Sequence, residues 1–151
     1  MAAVLGLLTV VTGCLGPPAS VTLRVDLAAL EDVRGIGRVR AEFAHESDTE
    51  GGGTQISETM IIDVGGMNGR EALDRAANLL AARDWMIEAE NRPTIIGMAS
   101  ARWKDTYLEL RPYHPAYFED HPEVLEKIKK ESIDSSSLVY LDVSSLNVSR
   151  S

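Results

Sequence analysis

The side chains best equipped for chemistry sit in two short stretches. Residues 112–122, PYHPAYFEDHP, hold half of the prolines, half of the tyrosines and two of the three histidines. His114 and His121, with Glu119 or Asp120, offer the imidazole and carboxylate donors that zinc takes. The same groups could exchange protons as the acid and base of a small metal-dependent or carboxylate-based hydrolase. Spacing gives that chemistry little support. H-E-x-x-H is absent, and His45-Glu46 has no second histidine at the required place. Ser100, within GMASA, does not fit the G-x-S-x-G of a serine nucleophile. The competing reading is an aromatic, proline-braced connection that packs Tyr113, Tyr117 and Phe118 over a sheet edge and leaves the histidines wet. A non-catalytic binding module would present either that connection, residues 112–122, or the exposed side of the antiparallel sheet as its binding face. Tyr113, His114, Tyr117, Phe118 and His121 are the candidate binding residues, with no catalytic residue, metal ligand or cofactor assigned.

The second reactive group is Cys14, the one thiol of the chain. It closes an uncharged, apolar opening, MAAVLGLLTVVTGCL, too short for a hydrocarbon layer that takes about 20 residues to cross. A secretory leader fits that length. Val11-Thr12-Gly13-Cys14 follows the lipobox pattern of an aliphatic residue, a small residue, Gly or Ala, and Cys. The chain therefore resembles a bacterial lipoprotein, although Met1-Ala2-Ala3 lacks the Lys or Arg with which such leaders open. The resemblance implies that residues 1–13 are a signal peptide cut before Cys14, whose thiol is joined to diacylglycerol. It places the protein on the extracytoplasmic face of the cell membrane. Cysteine usage agrees, because a single thiol builds no disulfide framework and needs another purpose. Each buried acyl methylene contributes about 0.8 kcal/mol, so two or three chains hold the anchor essentially permanently.

Composition narrows the partners. Of 151 residues 44% are hydrophobic, enough for one domain with a real core over residues 21–143. The net charge of −8, from 15 basic and 23 acidic residues, disfavours nucleic acid, which needs a basic footprint. An anionic membrane surface also repels such a domain, within a Debye length of about 8 Å. The expected partners are the membrane, through Cys14, and an envelope protein. Residues 14–20 are the lipidated Cys14 and a short tether, residues 15–20, that reaches at most about 20 Å at roughly 3.3 Å per residue. Residues 144–151 read as a frayed tail, in which the sequon Asn147-Val148-Ser149 carries no meaning in a bacterial lipoprotein.

The elements that must position these residues follow from periodicity. NGREALDRAANLLAARDW, residues 68–85, reads as an amphipathic helix that ends near Asp84, with Asn68 as cap, Glu71 to return the bond and Trp85 at the exit. Its apolar side carries Ala72, Leu73, Ala76, Ala77 and Leu80. Alternation predicts strands over 21–27, 39–45, 56–64 and 86–90, a hairpin from 94–102 and 106–111, and a last strand over 138–143. Val39, Ala41 and Phe43 fall on one side of the second strand. Shorter helices are expected over 28–34 and 122–130. Gly35-Ile36-Gly37 lacks the third glycine of a dinucleotide loop. Residues 46–51, ESDTEG, echo a calcium loop, but Ser57 stands where the bidentate Glu belongs, and a solvated hairpin loop is the simpler reading. Met60, Met86, Met98 and Trp103 read as core or hairpin-tip residues. The fold class is α+β: an antiparallel sheet of about five to seven strands with one main amphipathic helix and one or two shorter helices packed on one face. This helix, strand and hairpin order is similar to that of many small actinobacterial lipoproteins of unassigned function.

Overall fold

The computed structural model describes residues 21–50, 52–131 and 133–145. The leader, Cys14, the tether to Ser20, and residues 146–151 with the Asn147 sequon lie outside the described residues. In chain order the elements are β1 (Thr22–Arg24), α1 (Leu27–Arg34), β2 (Arg38–Asp48), β3 (Thr54–Asp63), α2 (Gly69–Ala81), β4 (Trp85–Asn91), β5 (Ile95–Ser100), β6 (Thr106–Pro112), α3 (Pro122–Lys130) and β7 (Leu138–Ser145). The class is α+β, as expected.

α2 starts where its capping chemistry says it should. The Asn68 side chain accepts the Glu71 amide at 2.9 Å. Glu71 reaches back in turn, but takes the Met67 amide at 3.0 Å, one residue before the cap. Ala72, Leu73, Ala76, Ala77 and Leu80 are all buried, and each leucine contributes about 1.5–3 kcal/mol. The helix ends at Ala81, and Asp84, at a φ of 66°, turns the chain into β4. At the other end Gly65 and Gly66, at φ 76° and 134°, make the turn out of β3 that a side chain would resist.

The strands form one seven-stranded sheet in the order β1-β3-β7-β6-β5-β4, with β2 on the outer side of β3. All pairings are antiparallel except β1 with β3, where Thr22 to Arg24 run alongside Thr54 to Ile56. Alternation sends Met60, Ile62, Leu108, Leu110, Val139 and Leu141 into one core with α1 and α2. Ile61 and Leu138 face the other way, into a second core with Phe118 and with Val124 and Ile128 of α3. The helices therefore cover both faces, where the sequence pattern suggested one. The reason lies in β3 and β7, whose runs MII and LVYL are apolar on both sides and need cover on both.

β2 differs from its expected alternation in a way that matters below. Val39 packs with the α2 core, whereas Ala41 and Phe43 pack with the α3 core. An extra residue, Arg40, is inserted between Val39, opposite Ile62, and Ala41, opposite Ile61. Such a bulge flips every later side chain to the other face. Glu46 and Asp48, from the calcium-like segment, pair within β2 against Ile56 and Thr54. Among the described residues they belong to no group of acidic side chains with metal-site geometry.

Candidate functional site

On the α3 face, the end of the sheet beyond α3 is an open cleft of about 260 Å³. Its floor comes from three neighbouring strands. β2 supplies Phe43 and His45, β3 supplies Ser57 and Thr59, and β7 supplies Tyr140 and Asp142. Register sets them in rows. Phe43 lies opposite Thr59, Thr59 opposite Asp142, and His45 opposite Ser57. Without the Arg40 bulge the β2 positions facing Thr59 and Ser57 would be Glu42 and Ala44, so one inserted residue puts an aromatic ring and an imidazole in the cleft. The wall is the chain between β6 and α3, which contributes Tyr117, Asp120 and His121.

That wall is built on Phe118. A 3-10 turn over Pro115–Phe118 is opened by His114, whose Nδ1 accepts the Ala116 amide at 3.2 Å. Phe118 has no exposed surface, stacks on Tyr113 at 5.6 Å, and meets Phe43 edge-on at 6.2 Å. Tyr117, 41% exposed, tilts against Tyr140 at 5.5 Å and has the Arg111 guanidinium over its ring at 5.7 Å. His121 lies on the Phe43 ring at 4.2 Å, with Nδ1 3.2 Å from the Glu123 carboxylate. Pro122 follows in the first turn of α3, where its missing amide costs nothing.

Asp142 is the distinctive group. Its carboxylate accepts a hydrogen bond from the Thr59 hydroxyl at 3.0 Å, and Thr59 and Ser57 are themselves buried. Burial lifts its pKa above the ordinary carboxylate value. The Thr59 and Ser57 hydroxyls and His45 oppose that rise, and the Glu109 carboxylate across the strand pair adds to it. Among the described residues no lysine or arginine forms an ion pair with Asp142 or Asp120. Arg111, the cation beside Tyr117, is bound to Glu109 at 2.6 Å. Burial also raises the pKa of Tyr140, so the phenol stays protonated.

The five residues singled out from the sequence are thus divided. Tyr117 and His121 line the cleft. Tyr113 lines a separate groove of about 570 Å³ with Pro115, Leu125 and Ile128. His114 caps the turn, and Phe118 has no surface to offer a ligand because it is the core residue on which the turn rests. A hydrolase centre using both His114 and His121 needs both in one cleft, and only His121 is among the lining residues. No group of three or more histidine, cysteine or acidic side chains has metal-site geometry among the described residues. The residues that sequence reasoning missed are Phe43, His45, Ser57, Thr59, Tyr140 and Asp142. One signal was present: Asp142 interrupts the apolar run LVYLDV, and Ser57 and Thr59 sit in a strand otherwise rich in Ile and Met. Comparison with known proteins finds no matching family model, no similar curated protein and no similar solved structure.

Proposed function

We propose that this protein is an extracytoplasmic lipoprotein, held to the membrane through Cys14, whose domain is a non-catalytic binding module that takes its ligand in the cleft over Thr59 and Asp142. The observation that carries the reading is the cleft's make-up. Aromatic faces, buried hydroxyls and a carboxylate with no cationic partner among the described residues converge on one concave surface, as in ligand sites generally. The lipobox Val11-Thr12-Gly13-Cys14 supports the anchor. No helix among the described residues is long and apolar enough to cross a membrane. The described chain begins at Val21, whose carbonyl accepts the Thr54 amide at 2.9 Å, at the same end of β3 as Ser57 and Thr59. A short tether leaving Val21 would hold the cleft-bearing end of the sheet towards the bilayer, within reach of small solutes and envelope proteins there.

The anchor is tested by fractionating cells that express the wild-type chain or Cys14→Ser. Mass spectrometry of the wild-type membrane fraction should show a diacylglyceryl adduct on Cys14, and the serine variant should leave the membrane. Equal membrane retention of both chains would remove the anchor from the proposal.

A further inference from the structure

Taking the cleft as the binding site of the module just described, we infer that its ligand is a small organic cation, an ammonium group held by Asp142 and enclosed by the faces of Phe43, Tyr117 and Tyr140. The cleft contains two carboxylates, Asp142 and Asp120, and its basic lining residues are two histidines, His45 and His121, the latter turned to Glu123 at 3.2 Å, with neither lysine nor arginine among them. Asp142 sits on the floor with one oxygen bonded to the Thr59 hydroxyl, a neutral donor, and makes no ion pair among the described residues. A buried carboxylate ordinarily finds a cation within the protein, as Asp63 does with Arg40 on the same face. Here the cation is left for a ligand to supply.

The walls agree with that sign of charge. An aromatic ring presents a negative face, so rings around a carboxylate favour a cation twice over, the more so when it is partly desolvated. All three rings line the cleft. Tyr117 is 5.5 Å from Tyr140, and Phe43 is held by Phe118 and by His121, itself a residue of the cleft wall. The volume of about 260 Å³ accommodates a quaternary or primary ammonium with a short substituent. The net charge of −8 adds a field that attracts cations and repels anions. A free amine and the ammonium of a lipid headgroup share this chemistry.

Calorimetric titration of the full chain with tetramethylammonium chloride, against sodium chloride at matched ionic strength, tests the assignment. Binding should be saturable and at least tenfold weaker in Asp142→Asn, with a smaller, severalfold loss in Asp120→Asn, whose side chain is outside the core. Circular dichroism melts identify any variant that has lost its fold. tert-Butanol, neutral and of similar shape, and acetate should not bind. Absence of tetramethylammonium binding, or equal binding by wild type and both variants, overturns the inference. Uptake of tert-butanol or acetate in the cleft overturns the cationic class but leaves a binding module standing, and the fractionation of Cys14→Ser bears on the anchor alone. If the cation binds, flotation of Cys14→Ser with phosphatidylethanolamine against phosphatidylglycerol vesicles assigns it to a headgroup or a free solute, either of which supports the class.

Discussion

Asp63 and Asp142 are both half-buried carboxylates on the α3 face of one sheet, near opposite ends of α3's footprint, and their surroundings set them apart. Arg40, the bulged residue of β2, bonds Asp63 at 2.5 Å and also approaches Glu131 at the end of α3 at 3.7 Å. Burial works to raise the Asp63 pKa. Hydrogen bonds from Arg40, Ser137 and the Gly65 amide, with the Arg40 charge, outweigh it and hold the carboxyl below its usual range. Asp142 has hydroxyls where Asp63 has a guanidinium, and its pKa moves the other way. The comparison separates a charge that fastens the fold from a charge held ready for something else. A carboxylate that the protein neutralises is part of its architecture, and one that it desolvates without neutralising is a candidate site.

The largest expected effect comes from removing what both ends share. Phe118→Ala deletes the buried ring beneath the 115–118 turn and should cost about 3–5 kcal/mol in urea unfolding, far more than a residue placed for a ligand would. A loss below about 1 kcal/mol would show that the α3 core contributes little to the fold.

Next is the structural ion pair. Arg40→Met leaves Asp63 desolvated and unpaired and should destabilise by about 2–3 kcal/mol at neutral pH, somewhat under the range for fully buried pairs because both groups keep some exposure. Since the folded-state pKa of Asp63 is depressed, its stabilisation is present above the unfolded carboxylate value of about 3.9 and is lost as pH falls through the lower folded value. The deficit of Arg40→Met should therefore shrink in unfolding measured at about pH 3.5. A constant deficit from neutral to acid pH would contradict the role given to Asp63.

His121→Ala removes one ring from the stack on Phe43 and should cost about 0.5–1 kcal/mol, read as a small fall in melting temperature. The smallest effect on stability belongs to the residue with the largest expected effect on binding. Asp142 has a raised folded-state pKa, so its ionised form opposes folding above that value, and the penalty is relieved as pH falls through it. Asp142→Asn should match or slightly exceed the wild type in stability at neutral pH, with the difference disappearing in acid. Marked destabilisation by Asp142→Asn would place Asp142 with Asp63 and erase the contrast.

Much of the scaffold was legible in the residues themselves. α2 could be read because its cap, its apolar stripe and its exit are all encoded within neighbouring residues, and the strands could be read because a period of two is a local property. The helix over 122–130 was legible for the same reason, from Pro122 and the spacing of Val124 and Ile128. Tyr117 and His121 stood out by composition alone.

The cleft was not legible, because its members come from β2, β3, β7 and the chain before α3, separated by up to about a hundred residues and joined only by strand register. Register is fixed by which faces are buried, and a single bulge at Arg40 reverses which side chains of β2 look into the site. Local sequence thus determined the elements of this protein and the resemblance carried by Cys14. The tertiary structure decided which carboxylate received a cation and which did not, since charge compensation depends on distance in space and not on spacing along the chain.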